Sequence, residues 1–497
     1  MNKQDALKQY EETREKIAAY RLALNTTSWD NATVAPKKGA AYRNQMMAIL
    51  SGELFSIETS IDYLNLIEEM SSMDLEEDLK REISQIKKEQ DKSKYIPKEV
   101  YVEYAQLLHD GETLWEEAKE KKDYQLFKGM LKNLVEMTKK VVSYRHDNRS
   151  VYDQLLDDFE TDFNTEKYDD FFTKLKTDLV PLIHQINALK TQRFSWLNET
   201  VSVDVQRKLV NKLAEYLNFS KETGLISESA HPFSEGFSAY DNRVTVKYHE
   251  DNYVSSLFAL IHEVGHATYN GQVDVKYNGH HVANSMSYGM HESQSRLFEN
   301  MLGRSKAFWV SLYPFFQEQI ERLKEVSLDE FILGINFVES SLIRIEADEL
   351  TYPLHIMIRY EIEKDLFSGK LDVEGLDEVW ANKYETYLGV RPQNAAQGIL
   401  QDIHWSGGAF GYFPTYALGS AYSAQWMHQM RKDINVDALL ETNNTKEILN
   451  WLKTNIHQFG GLYKAEELLN RVTHESFNPQ YYVDYLVHKF KTQYNFK

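Results

Sequence analysis

Only nine prolines and 22 glycines occur in 497 residues. That scarcity of helix breakers constrains the fold more than any other feature of the chain. Through most of it, apolar residues recur three and four positions apart, the period of an amphipathic helix. The spacing predicts helices over 3–24, 38–70, 76–94, 167–192 and 203–219, and another from Pro97, which suits a first helical position, to about 145. Pro181 is expected to kink or break the helix that contains it. Charge runs such as LEEDLKREISQIKKEQDK read as solvated helix faces.

The texture changes at HPFSEGFSAYDNRVTVKYH, residues 231–249. Phe233, Phe237, Tyr240, Val244, Val246 and Tyr248 sit among turn formers there, with alternation over 244–248. This predicts a small antiparallel sheet over 231–250. Helical spacing resumes near 253 and runs to the end. The expected fold class is therefore mainly α: a single helical domain over 1–497, with a helical region at 1–230, the sheet, and a second helical region at 251–497.

Composition narrows the chemistry. There is no cysteine, which removes disulfides, thiolate catalysis and thiolate metal ligation. With 56 basic and 75 acidic residues the net charge is −19, which argues against nucleic acid or an anionic membrane as partner. No apolar run approaches the 18 or so residues of a membrane span. The amphipathic, charged start lacks the apolar stretch of a signal peptide, so a cytoplasmic location is expected.

One stretch carries metal chemistry. ALIHEVGHATYN (259–270) places His262 and His266 four apart, on one face of a helix, so two imidazoles can point at one ion. Glu263 is turned about 100° around the axis, placed to reach a water on the metal rather than the metal itself. Leu257, Phe258, Leu260, Ile261 and Val264 make this helix apolar nearly all round. A buried helix with these polar groups needs something to compensate them, and a divalent cation would do so. About 0.04 chance matches to H-E-x-x-H are expected in a chain of this length.

Catalytic zinc usually takes three protein ligands and leaves one position open. Metzincin spacing would require a glycine at 269 and a histidine at 272, where this chain has Tyr269 and Gln272. The first downstream glutamate is Glu292, in GMHESQSRLFEN, a second helix with Met290, Leu297, Phe298 and Met301 on its apolar side. Glu292 is the expected third ligand, unless it merely pairs with Arg296. Asp274, His280 and His281 are its rivals.

Beyond these residues, the chain resembles the family-32 metallocarboxypeptidases, the carboxypeptidase Taq family. It has HPF at 231–233, DNRVT at 241–245 for D-x-R-x-T, HEVGH at 262–266 and HESQ at 291–294. It also has IRIEAD at 343–348 for I/V-R-x-x-A-D, and GILQDIHW at 398–405 for G-x-x-Q-D-x-H-W. All six stand in family order; the first 230 residues carry no comparable motif. The resemblance implies a helical fold with a deep active-site groove, similar to angiotensin-converting enzyme and the neurolysin-type oligopeptidases, with 1–230 as its wall or lid. It implies release of C-terminal amino acids from peptides with a free C-terminus, one divalent metal per chain (zinc, or cobalt) and a homodimer. Carried over by position, His262, His266 and Glu292 are the metal ligands and Glu263 the catalytic base.

A carboxypeptidase must bind a terminal carboxylate, which the planar fork of arginine does best. Arg344 lies in ESSLIRIEADELTYPLHIMI, read as a strongly apolar helix. Its partner is expected to be the substrate carboxylate, or else Glu346 or Asp348. Arg243 is the second candidate, unless it only pairs with Asp241 beside it. In QDIHWSGGAFGYFPTYALGS, His404 and one of Tyr412 and Tyr416 are expected, by analogy with the related oligopeptidases, to donate to the oxyanion. His231 is a pocket donor or a sheet cap. Two other readings stand beside this one: an oligopeptidase cutting internally with the same metal chemistry, and a non-catalytic helical scaffold with a structural metal.

Overall fold

A computed structural model describes residues 1–284 and 287–496. Four helices come first: α1 (Lys3–Ala32), α2 (Ala40–Glu58), α3 (Ile61–Ser71) and α4 (Glu77–Ser93). Then come α5 (Lys98–Lys121), α6 (Tyr124–Val142), α7 (Val151–Phe159), α8 (Thr165–Ala188) and α9 (Val203–Tyr216). The strands β1 (Gly224–Glu228), β2 (Ser234–Ser238) and β3 (Asp241–Val246) precede α10 (Tyr253–Gln272) and α11 (Tyr288–Arg296). After α11 follow α12 (Lys306–Val310), α13 (Tyr313–Gln319), α14 (Leu328–Ile335), α15 (Tyr352–Ser368), α16 (Leu376–Leu388) and α17 (Pro414–Asp433). The last four are α18 (Val436–Glu441), α19 (Thr445–Asn455), α20 (Ala465–Thr473) and α21 (Gln480–Gln493). The mainly helical architecture is as the spacing predicts.

Local capping explains where the boundaries differ. The segment expected as one helix over 38–70 is two, because Ser60 turns extended and its Oγ accepts from Tyr63 N–H, starting α3. The stretch from 97 to 145 breaks at Lys122, which is left-handed, and Asp123, whose carboxylate caps α6 through Gln125 N–H. Pro181 lies inside α8 and does not end it. The first helix runs on to Ala32, past the expected end at 24.

The sheet needs correcting. Its order is β1-β3-β2. The β2–β3 pair is antiparallel, as expected, but β1 joins β3 in parallel, with Ile226 opposite Val244. The sheet thus begins at Gly224, inside the region read as wholly helical. GLISE has only two adjacent apolar residues, of which Leu225 is exposed, so no alternation marks it in the sequence.

The largest apolar core includes buried residues of α8, α10, α15, α17 and α21. A separate cluster, with Tyr10, Ile17, Ile67, Met70 and Ile83 at its centre, belongs to α1, α3 and α4. Helix α2 buries none of its side chains.

Candidate metal centre

Helix α10 buries Leu257, Leu260, Ile261 and Val264 almost completely, which fixes its rotation and turns His262 and His266 to one side. Helix α11 crosses it closely. A Cβ on Gly265 would sit 2.7 Å from Ser295 Cα and 2.8 Å from the Gln294 carbonyl oxygen, so only glycine permits this approach. Gly419 does the same for α17, where a Cβ would lie 2.7 Å from both Cβ and Cγ of Glu292. Two glycines thus bring three helices together at Glu292. The N-terminus of α11 is pinned by Glu160, whose carboxylate accepts from Ser287 Oγ and, at 3.1 Å, from Gly289 N–H. Burial without a cation pushes the Glu160 carboxyl up to about 7.

Glu292 Oε2 lies 3.6 Å from His266 Nε2 and 3.9 Å from His262 Nε2. The three donor atoms lie within 4.8 Å of one another. These separations are too long for hydrogen bonds. They are close to the donor–donor edge, about 3.3–3.5 Å, of a tetrahedral site with bonds of about 2.0–2.2 Å. The donor set therefore fits a divalent cation. Glu263 is buried at 7 % exposure and makes no hydrogen bond or ion pair of its own among the described residues.

A second layer surrounds these groups. Glu299, in the π-helical turn Leu297–Leu302 that continues α11, accepts from His262 Nδ1 at 2.9 Å. That bond fixes the tautomer with the Nε2 lone pair facing Glu292. Arg296 bonds Glu292 Oε1 through Nε at 2.7 Å and Glu299 Oε2 through Nη1 at 3.1 Å. Burial pushes both carboxyls up, but Arg296 and the imidazoles outweigh it. Glu292 is held well below the usual carboxylate range and Glu299 falls to about 2. Glu292 thus both pairs with Arg296 and faces the histidines. Its rivals lie elsewhere. His280 Nδ1 and the His281 N–H bond Glu82 on α4, and Asp274 accepts from Lys276 N–H.

The GILQDIHW segment and the start of α17 sit beside the centre. Tyr416 is one turn before Gly419, on the side of α17 that faces α11. His404 Nε2 is 3.2 Å from Tyr416 OH. Burial drives the imidazole down to about 4, with Arg344 and Arg359 also lowering it, so His404 is neutral at pH 7. Tyr412 stacks edge-on against Tyr416 and Tyr288, at centroid distances of 5.2 and 5.3 Å. Burial and the charge of Glu292 push its hydroxyl up to about 12.

Arg344 differs from expectation. It lies in a short 3-10 turn, Arg344–Glu346, not in a long apolar helix. Its partner is neither Glu346 nor Asp348. Nε and Nη2 bond Asp402 Oδ1 at 3.0 and 2.9 Å, and Nη1 donates to Tyr352 OH at 3.2 Å. The other oxygen of Asp402 takes Arg359 Nε at 2.7 Å. Asp348 instead caps the turn before α15, accepting from the N–H groups of Leu350 and Thr351. Sequence reading named neither Asp402 nor Arg359, although the QD of GILQDIHW was a signal for the first. Arg243 pairs with Asp241 through Nε and Nη2, at 2.8 and 2.7 Å, over the ring of Phe237. His231 is exposed; its carbonyl accepts from Ser229 Oγ.

A helical body that converges two histidines and a carboxylate on one point, with a buried glutamate directly after the first histidine, has the makeup of a metallohydrolase. The carboxypeptidase Taq (M32) metallopeptidase model matches residues 9–490, and the chain belongs to that family. It is accordingly a metallocarboxypeptidase. Carboxypeptidase 1 of Bacillus subtilis (strain 168) is 39 % identical over 492 residues, covering 98 % of each chain. Thermostable carboxypeptidase 1 of Thermus thermophilus is 33 % identical, covering 97 % of each. The crystal structure of the M32 carboxypeptidase from Deinococcus radiodurans R1 superposes with a TM-score of 0.95 at 28 % identity, covering 99 % of this chain and 100 % of that one. Among the described residues, no helix is long and apolar enough to cross a membrane.

Proposed function

We propose that the chain releases C-terminal residues from peptides using one zinc or cobalt ion held by His262, His266 and Glu292, with Glu263 as general base. The convergence of those three donor atoms, with a Glu263 that has no hydrogen bond or ion pair among the described residues, carries the reading. When bound, the ion supplies Lewis acidity, which polarises the scissile carbonyl and makes water a nucleophile near neutral pH. Glu263 takes the attacking water's proton and passes it to the leaving amine. His404, neutral and hydrogen-bonded to Tyr416, donates to the oxyanion, with Tyr416 or Tyr412 as second donor.

The terminal carboxylate is assigned to Arg344, with Arg243, held by Asp241, as a secondary contact and the exposed His231 as an outer donor. Charge supports this order. Asp402 is one carboxylate shared by two guanidiniums, so it balances Arg344 only in part. Among the described residues, Arg344 also uses only three of its five N–H donors. Arg243 is balanced one-to-one by Asp241. A cytoplasmic homodimer completes the reading. The homodimer rests on the family resemblance alone and is checked by sedimentation; cell fractionation checks the location.

The test is a pair of substitutions. Glu263→Gln keeps the shape but cannot take the proton; it is expected to retain metal and lose most turnover. Glu292→Ala leaves two histidines on the ion and is expected to lose metal and turnover together. Near-normal turnover by metal-loaded Glu263→Gln would remove Glu263 from the base role. Retained metal in Glu292→Ala would move the third ligand elsewhere.

A further inference from the structure

The carboxylate of Glu292 is asymmetric. Oε2 faces both imidazoles, while Oε1 is bonded to Arg296 Nε at 2.7 Å. Ser295 Oγ also lies near Oε2, at 3.4 Å, longer than a normal O–H···O bond. Arg296 is not free to swing away. Its Nη1 bonds Glu299 Oε2 at 3.1 Å, its guanidinium lies 4.5 Å over the ring of Tyr352, and only 15 % of its side chain is exposed. Glu299 is anchored in turn by His262 Nδ1 at 2.9 Å and Arg304 Nη2 at 3.5 Å. The circuit runs from His262 through Glu299 and Arg296 to Glu292, and the two carboxylates and two guanidiniums cancel in charge.

We propose that Arg296 is a positioning residue that holds Oε1 of Glu292 off the metal, so that Glu292 ligates through Oε2 alone and a coordination position stays open for water. This rests on the metal reading of His262, His266 and Glu292. A carboxylate can bind a cation through one oxygen or two. Two oxygens here would add a fourth protein donor and close the site, the arrangement of a structural rather than a catalytic centre. A buried guanidinium fixed at three points prevents that by occupying Oε1. It also makes the role of Arg296 opposite in sign to that of Glu299. Replacing Glu299 by glutamine exchanges the charged acceptor that orients His262 for a weaker neutral one, which weakens metal binding. Removing Arg296 frees a second oxygen for the metal, which does not.

The experiment compares Arg296→Met, Arg296→Lys and Glu299→Gln with the parent chain, each loaded with Co(II). Metal affinity is read by competition with a chelator, coordination number by the intensity of the visible Co(II) bands, and turnover on a free-acid peptide. Glu299→Gln is expected to bind metal about 10–100-fold more weakly, as outer-layer partners of ligating histidines do. Arg296→Met is expected to hold Co(II) as tightly as the parent or tighter, with weaker bands from a higher coordination number. Its turnover should fall by about tenfold or more. Arg296→Lys, which keeps a donor for Oε1, should recover part of the band intensity, and it carries the comparison alone if Arg296→Met does not fold. Loss of affinity in the Arg296 variants matching that of Glu299→Gln would overturn the proposal, as would parent-like bands and turnover. Failure of the parent itself to bind Co(II) would instead sink the underlying metal reading, and it shows before any variant is made.

Discussion

Arg344 shows how a single residue's role depends on partners far along the chain. Its nearest acids in sequence, Glu346 and Asp348, do not pair with it, whereas Asp402 does. That contact crosses 58 positions, so no local pattern could announce it. His262, Glu263 and His266 were legible because a helix turns an i, i+4 spacing into adjacency without tertiary information. A charge-assisted pair with a substrate carboxylate is typically worth about 1.5–3 kcal/mol, or roughly 10- to 150-fold in kcat/KM. Arg344→Ala is expected to cost that much on free-acid peptides, with metal content unchanged and little further loss on amidated ones. Arg243→Ala should cost less on the same substrates; the reverse ranking would exchange the two roles. His404 gives a pH effect. Its folded value of about 4 lies below the ordinary 6.5, so between those limits the unfolded chain binds a proton that the folded chain refuses. Its contribution is intact above pH 6.5 and falls as pH drops towards 4, by about 3 kcal/mol in all. Urea unfolding at pH 7 and 4.5 should show a smaller acid loss in His404→Gln than in the parent; equal losses would contradict the assignment.

At the scale of elements, the loop that carries His404 is held by one buried carboxylate on α15. Glu363 accepts from Trp405 Nε1 at 2.6 Å, Tyr152 OH at 2.8 Å and Gly411 N–H at 2.8 Å. All three partners are donors, and burial pushes the Glu363 carboxyl up to about 7. Glu363→Gln turns an amide NH2 towards a donor, an unsatisfied buried contact worth about 1–3 kcal/mol. The melting temperature and kcat/KM should both fall while metal content, measured on the same sample, stays at the parent level. A parent-like kcat/KM would show that the loop positions itself without Glu363. Nothing in the sequence marked Glu363, because its partners come from α7, the loop after 404 and Gly411. The helices themselves were legible from periodicity, and the errors fall where side-chain caps such as Ser60 and Asp123 decide. Strand β1 was missed for a different reason: it is short, weakly apolar and recognisable only by its pairing with β3.

On the scale of the whole molecule, α1, α3 and α4 share a small apolar cluster of their own. Several of the contacts that tie this part to the rest are polar: Arg81 with Glu467, Lys276 and Tyr277 with Asp78, His280 with Glu82, and Asn25 with Glu235. Trp29 adds an apolar contact to Phe233, with ring centroids 5.1 Å apart. The six motifs lie in 231–405, where metal chemistry and substrate binding fix residue types at fixed spacings. The first 230 residues are specified mainly by packing, which many sequences satisfy, so they carried only helicity. The central claim is that one metal centre removes residues from the free carboxyl end of peptides. It is tested most directly by mass spectrometry of matched peptides, one a free acid and one amidated, incubated with chelated enzyme and with enzyme restored by zinc or cobalt. The account predicts a ladder shortened residue by residue from the C-terminus, only with metal and only for the free acid. Internal fragments, equal cutting of the amidated peptide, or undiminished release after chelation would contradict it.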